Sequence, residues 1–319
     1  MDKITVLSPA TIANIVCGFD ILGFALEEPC DTLTLRKTAA RGVSIVNRDD
    51  FGLPTEPENN VTGAALLALL SEVPGNIGFE VVSCKAIMPG SGIGSSAASA
   101  AGAVVAANHL LNLRFSRHDL ARFAMVGEAV ASGVQHADNI APAIYGGITL
   151  VRSLNPLDIV PVAAPPLFVT IIHPLIEVKT SYARGILKKE IPMSDAVTQW
   201  GNIAGLMVGL MRGDYDLISR SLVDVVAEPL RSKLIPGFEQ IRKAGIAAGA
   251  LGGGIAGSGP SVFMFSKDKA TAISVESAMA AVYLKTAVKF HTYVTTINNE
   301  GVKILDIHPE NQHRVILQH

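Results

Sequence analysis

The sequence predicts an α+β protein built as two halves that meet near residue 155. Three observations carry this: strand-like runs crowd the first ninety residues, helix-period patterns then take over with a few strands among them, and a proline-rich stretch at 156–166 separates the two parts. The length of 319 residues accommodates two domains at roughly 150 residues each.

Each element has a local reason. Alternating or β-branched runs at 4–6, 31–35 (DTLTL), 43–46 and 79–82 read as strands. Residues 61–70, 95–111, 116–132, 195–211 and 215–226 carry apolar positions three and four apart, the helical period. Strand patterns return at 148–151, 168–172, 261–265 and 289–297. Pro156, Pro161, Pro165 and Pro166 stiffen the stretch between the halves, so the expected division is 1–155 and 156–319.

Composition narrows the function. Hydrophobic residues make up 49% and charged ones 17%, which is globular and not disordered. The net charge is −2, and the longest basic cluster, Lys188-Lys189, is followed at once by Glu190, so no nucleic acid is expected as partner. Cys17, Cys30 and Cys84 are odd in number and lack C-x-x-C spacing, which indicates neither a disulfide framework nor a zinc site and fits a reducing cytoplasm. MDKITVL has no signal-peptide pattern, and the apolar run 97–107 has about half the length of a membrane span, so a soluble cytoplasmic protein with no membrane partner is expected.

The segment IMPGSGIGSSA, 87–97, lies between a strand pattern and a strong helix pattern. Glycines there let backbone N–H groups approach an anion at a helix N-terminus, where the helix dipole adds positive charge. Three familiar solutions fail. A Walker loop ends in G-K-[ST], and this one reads G-S-S; the spacing G-x-G-x-G is not the dinucleotide fingerprint G-x-G-x-x-G; and no G-x-S-x-G elbow is present. By itself the loop reads equally well as close packing of small residues.

Two further stretches change that balance: PATIANIVCGFDILGFAL at 9–26 and GGGIAGSGPSVF at 252–263. In this order and spacing the three segments resemble the motifs of the galactokinase, homoserine kinase, mevalonate kinase and phosphomevalonate kinase (GHMP) superfamily. GEAVASGVQHADNIAPAIYGG at 127–147, TSYAR at 180–184 and EPLRSKLIPGF at 228–238 resemble its homoserine kinase branch. The chain departs from the pattern at Ile12, Val16 and Cys17 in the first motif, and at Met88, where proline is usual.

The resemblance implies a fold and a set of roles. The N-terminal domain would resemble a domain of a small-subunit ribosomal protein with a left-handed β-α-β crossover, and the C-terminal domain would be ferredoxin-like. Pro89, Gly90, Ser91, Gly92, Ile93, Gly94, Ser95 and Ser96 would wrap the ATP phosphates, with Asn60 and Lys85 in the nucleotide pocket. Ser96 and Glu128 would hold Mg²⁺, an ion that favours oxygen ligands. The implied reaction is ATP-dependent phosphorylation of the L-homoserine hydroxyl for threonine synthesis, in a homodimer.

L-Homoserine carries a carboxylate, an ammonium and a hydroxyl. Arg184 and Arg231 suit the first, because a guanidinium reads a carboxylate bidentately. Asp20, with Asn14 near it, suits the second. His136, Asp138 and Asn139 suit the third, Asn139 orienting the nucleophile and Asp138 standing by as a base. Each has a plainer reading: Glu128 as a solvated helix residue, Asp20 as a helix cap, Asn14 as a turn residue, His136 as a structural histidine, the loop at 252–259 as a hairpin turn. Another small-alcohol kinase such as a mevalonate kinase remains an alternative, as does a non-catalytic metabolite sensor of the same fold.

Overall fold

Strand β1 (Lys3–Ala13) pairs antiparallel with the long β2 (Leu22–Thr38), in a computed structural model that describes residues 2–308. β3 (Gly42–Asn47), α1 (Val61–Ser71) and β4 (Gly78–Cys84) form a β-α-β unit in which the two strands are parallel neighbours. α2 (Ser95–Leu110), α3 (Arg117–Ser132) and α4 (Ile140–Tyr145) follow, then the hairpin of β5 (Ile148–Leu154) and β6 (Leu157–Val162). α2 is the central helix. Nearly every side chain along it is buried, which its alanines permit because a helix apolar all round belongs inside a core. Gly102 lets it approach β1 and β2, since a Cβ there would sit 3.0 Å from both Ser8 Cβ and Leu33 Cδ1.

The second layer contains β7 (Phe168–Pro174), α5 (Thr180–Gly185), α6 (Met193–Arg212), α7 (Tyr215–Ser221), α8 (Glu228–Arg231), α9 (Phe238–Ala247), β8 (Gly252–Ile255), β9 (Val262–Ser266), α10 (Lys269–Tyr283) and β10 (Phe290–Thr296). Its strands lie in the order β10-β7-β9-β8, every pairing antiparallel. With helices between β7 and β8 and between β9 and β10, this is the ferredoxin-like arrangement. β11 (Lys303–His308) then returns to pair with β1, giving the first sheet seven strands.

Two sequence expectations meet a different structure. The division placed at 155 falls in the turn of the β5–β6 hairpin, and the first sheet continues to Val162. Pro161 does not disrupt it because β6 is an edge strand, pairing among the described residues only with β5, and needs no second ladder. The expected second half also gives β11 back to the first sheet, and residues 309–319 lie outside the described residues. The helix expected over 215–226 stops at Ser221, because the Asp224 carboxylate captures the amides of Val226, Ala227 and Glu228 and so starts α8 instead.

The halves share a core. Phe24 of β2 packs against Phe263 and Phe265 of β9 at ring-centroid distances of 5.6 and 5.1 Å. Leu26 bridges to Ile297, and Asn298 N donates to Ala25 O. The cavity described next is lined by residues of both halves.

Candidate active site

Beyond β4 the chain turns through a glycine loop into the N-terminus of α2. Gly90, Gly92 and Gly94 have φ of +75°, +84° and +70°. Two of them are also sterically required: a Cβ would sit 2.5 Å from Gly259 O at position 92, and 2.0 Å from Thr11 Oγ1 at position 94. At Gly90 a Cβ would meet open space. The three glycine and turn segments therefore meet in one place. Thr11 N donates to Ile93 O (3.1 Å), Gly257 N to Ala13 O (3.3 Å), and Ser261 donates through both N and Oγ to Ser91 O. The stretch at 252–259 comprises β8 and the start of the hairpin turn into β9, and it is also the support of the other two.

A cavity of about 320 Å³ is lined by Pro89, Gly90, Gly92, Gly94, Ser95, Ser96, Glu128, Asp138 and Asn139, and by Asn14, Asp20, His136, Arg184 and Arg231. Ser91 and Ile93 are not on it; their side chains are buried below the loop, and only their backbone belongs to the turn. The N-terminus of α2 faces this space, with helix N–H groups and dipole available to an anion.

Asn60 and Lys85, expected at the nucleotide, have structural partners. The Asn60 side chain caps α1, accepting from Thr62 N and Gly63 N and donating to Pro54 O, and it does not line the cavity. Lys85 touches the cavity wall, but all three of its protons are directed inward: to Asp31 Oδ2 (2.5 Å), Ser99 Oγ (2.7 Å) and Ser95 O (3.1 Å). Asp31 Oδ1 also accepts from Ala86 N and Ile87 N, so this ion pair fastens β2, the strand-to-loop turn and the first turn of α2 together. Burial pushes the Asp31 carboxyl up even beside the lysine charge.

Ser96 and Glu128 come together across the α2–α3 interface. The Ser96 hydroxyl hydrogen-bonds Glu128, whose carboxyl burial pushes up to about 7. A carboxyl held in a buried site against that penalty, next to a hydroxyl and an anion-binding helix end, is a donor set that suits a hard divalent cation.

The far end of the cavity is cationic and acidic. Arg184 from α5 makes a bidentate pair with Asp20, at 2.7 and 3.0 Å. Arg231 is 4% exposed; its Nε donates to Ala183 O and its Nη1 to Gly257 O. Burial lowers its pKa, and the charge of Arg184 adds to this. The Phe19 ring takes both guanidiniums, with Arg231 Cζ 4.9 Å and Arg184 Cζ 5.4 Å from its centroid.

The turn that presents Asp20 is strained. Asn14, Ile15, Val16 and Asp20 all have positive φ, a conformation costing roughly 1–3 kcal/mol each for residues with a Cβ. Asn14 holds the turn closed, its Nδ2 donating to Gly257 O and its Oδ1 accepting from Asp20 N. Both ends of its amide are thus already bonded. Ile12, Val16 and Cys17 point into the shared core, so these departures from the family pattern anchor the turn.

Asp138 and Asn139 lie where the chain enters α4. Asn139 Oδ1 accepts from Thr11 Oγ1 at 2.8 Å, which leaves its Nδ2 hydrogens as the amide's remaining polar face toward the cavity. Asp138 is buried, and burial together with the charges of Asp20 and Glu128 pushes its carboxyl up to about 7. Those two charges come from opposite ends of the cavity, so Asp138 senses both. Burial lowers the pKa of His136.

Sequence reasoning missed Thr11, Phe19, Asp31, Ser99 and Ser261. Phe19 and Thr11 sit inside the first motif without local signal, since their partners are more than a hundred residues away. Asp31 did carry one. In DTLTL the alternation places it on the same face as Leu33 and Leu35, so a buried carboxylate needing a partner was readable.

Comparison with known proteins agrees with this geometry. Models for the GHMP kinases N terminal domain and the GHMP kinases C terminal region match residues 59–147 and 206–285. Homoserine kinases of Chloroherpeton thalassium and Chlorobaculum tepidum are each 44% identical, over 96% of this chain and 100% and 99% of theirs. The crystal structure of homoserine kinase from Cytophaga hutchinsonii superposes with a TM-score of 0.92 at 45% identity, covering 96% of this chain and 98% of that one. L. major mevalonate kinase, 16% identical with a TM-score of 0.72, shares the fold. Identity of this degree, over 96% of the chain, shows that it belongs to the homoserine kinase family of the GHMP kinases.

Proposed function

We propose that the protein transfers the γ-phosphoryl group of ATP to the hydroxyl of L-homoserine, giving O-phospho-L-homoserine for threonine synthesis, by direct in-line displacement. The observation that carries this is one cavity with two chemically different ends, amides at a helix N-terminus at one and Asp20, Arg184 and Arg231 at the other. A phosphate chain fits the first. A zwitterion fits the second, its carboxylate taken by the guanidiniums and its ammonium by Asp20. Asp20 and Arg184 also pair with each other. Mevalonate has no ammonium, so it would leave Asp20 unused.

Phosphoryl transfer needs positioning and charge neutralisation more than covalent help. The amides of the 90–96 loop and the α2 dipole hold the phosphates, while Lys85 holds the helix end in place from below. Mg²⁺, taken by Ser96 and Glu128, would neutralise phosphate charge when bound. Asn139 directs Nδ2–H toward the reacting hydroxyl oxygen and orients it, but an amide donor cannot accept its proton. The proton leaves late, to the transferred phosphate. Asp138 is the alternative acceptor, since a carboxyl near pKa 7 is matched to that task.

The assembly reading is a homodimer in the cytoplasm. α6 exposes Met193, Val197, Trp200, Ala204, Val208 and Met211 at three- and four-residue spacing, with Trp200 59% and Met193 70% exposed. A continuous apolar stripe of that kind suits a second copy. No helix among the described residues is long and apolar enough to cross a membrane.

The test is ADP release by the purified protein with Mg-ATP and, in parallel, L-homoserine, mevalonate, galactose and shikimate. Turnover with homoserine is expected. Turnover with another of the four in its place would refute the substrate assignment, and no turnover with any would favour the sensor reading.

A further inference from the structure

Under the glycine loop, on the side away from the cavity, lies a chain of hydrogen bonds that the phosphoryl-transfer chemistry does not use. His173 Nδ1 is 3.1 Å from Ser261 Oγ, and Ser261 Oγ donates to Ser91 O at 2.6 Å. Ser261 N also donates to Ser91 O, at 3.3 Å. We propose that His173 and Ser261 are positioning residues that fix the Ser91–Gly92 peptide so that the Gly92 N–H points at the phosphate site. This rests on the reading of the loop as the ATP phosphate site.

The proton inventory sets the direction of the chain. The Ser261 hydroxyl has one hydrogen, which is spent on Ser91 O, so its contact with His173 requires the imidazole to donate from Nδ1. Nε2 is then unprotonated and lies 3.4 Å from Met88 Sδ. Burial lowers the His173 pKa to about 4, so the ring is neutral at working pH.

Peptide geometry then transmits the effect. In a trans peptide the C=O of one residue and the N–H of the next point in opposite directions. Anchoring the Ser91 carbonyl toward β9 therefore turns the Gly92 N–H the other way, and Gly92 lines the cavity. Gly92 is held there at φ +84° with no space for a Cβ beside Gly259 O. His173 lies on β7 and Ser261 just before β9, so the C-terminal domain sets the aim of a phosphate ligand on the N-terminal one. His173 is 3% exposed and Ser261 fully buried; neither lines the cavity.

The test compares His173→Leu, His173→Asn and Ser261→Ala by calorimetric affinity for a non-hydrolysable Mg-ATP analogue and for L-homoserine, with thermal melts as a check on folding. Asn offers an amide donor in the place of Nδ1–H, whereas Leu fills the space without one. The expected result is an analogue Kd about tenfold weaker for His173→Leu and Ser261→Ala, the worth of roughly one oriented hydrogen bond. Homoserine affinity should stay within about threefold on the same reckoning, and His173→Asn should recover most of the loss. If His173→Leu fails to fold, Ser261→Ala, which deletes one oxygen, carries the test. Unchanged analogue affinity, parallel loss of both ligands, or no rescue by Asn would overturn the proposal. Analogue binding needs no turnover, so wild-type protein that binds the analogue but phosphorylates nothing would refute the proposed function and leave this inference standing.

Discussion

Replacing Lys85 with methionine separates a strut from a nucleotide ligand. The side chains of Lys85 and Asp31 are 2% and 0% exposed, so the substitution leaves a carboxylate in the interior without its counter-charge. Removing one partner of a buried pair costs about 3–5 kcal/mol. Two features favour the lower end: Asp31 keeps the amides of Ala86 and Ile87, and Ser95 O keeps the Ser99 hydroxyl. We expect about 3 kcal/mol, a large part of a typical total of roughly 5–15 kcal/mol. Adding Asp31→Asn removes the stranded charge and should restore about 2 kcal/mol, because the asparagine oxygen can still accept both amides. The Lys85→Met penalty should also shrink as pH is lowered, since burial raises the Asp31 carboxyl and a proton can replace the lysine. Urea unfolding of both variants, with KM for ATP and for homoserine, makes the measurement. A stability loss with KM for ATP raised about tenfold is expected from a loosened loop. If the single variant lost less than about 1 kcal/mol, well under the buried-pair range, and still lost ATP affinity, Lys85 would be a nucleotide ligand and the strut argument would be wrong.

Other consequences follow from the same geometry. Asn139→Ala should lower kcat by about tenfold or more, whereas Asp138→Asn should lower it by about a hundredfold only if that carboxyl is the base; steady-state rates across pH distinguish the two. Glu128 titrates near 7 in the folded chain against about 4.5 unfolded, so the native state holds the extra proton between these values and apoprotein stability falls as pH rises through that window. Glu128→Gln should flatten that slope, raise apoprotein stability above pH 7 by about 1–3 kcal/mol, and abolish Mg-ATP turnover, as urea titrations and rates at several pH values can check. Trp200→Glu should leave the fold intact and halve the mass seen by light scattering if α6 is the dimer face; a protein already monomeric as wild type would remove that reading.

What the sequence made legible was chemistry carried by contiguous residues. The 90–96 loop could be read because strand, glycines and helix are consecutive, and the strand patterns of β1 to β4 because alternation is local. Asn60 shows the limit: Asn before a helix is equally a cap and a ligand, and only the amides of Thr62 and Gly63 decide it. Pro156 to Pro166 read as a linker because an edge strand tolerates proline as well as a linker does. Phe19, Thr11 and His173 were invisible for another reason. Their roles exist only once β9, α4 and α8 are brought against the first two motifs, and no spacing within the sequence encodes that meeting.

The central claim is a single direct transfer from ATP to the homoserine hydroxyl within one cavity. It is tested most directly by running the reaction with ATP made chiral at the γ-phosphorus by oxygen isotopes and reading the configuration of the phosphate ester on L-homoserine. One in-line displacement predicts inversion at phosphorus. Retention, the outcome of two displacements through a phosphorylated side chain, would contradict the account.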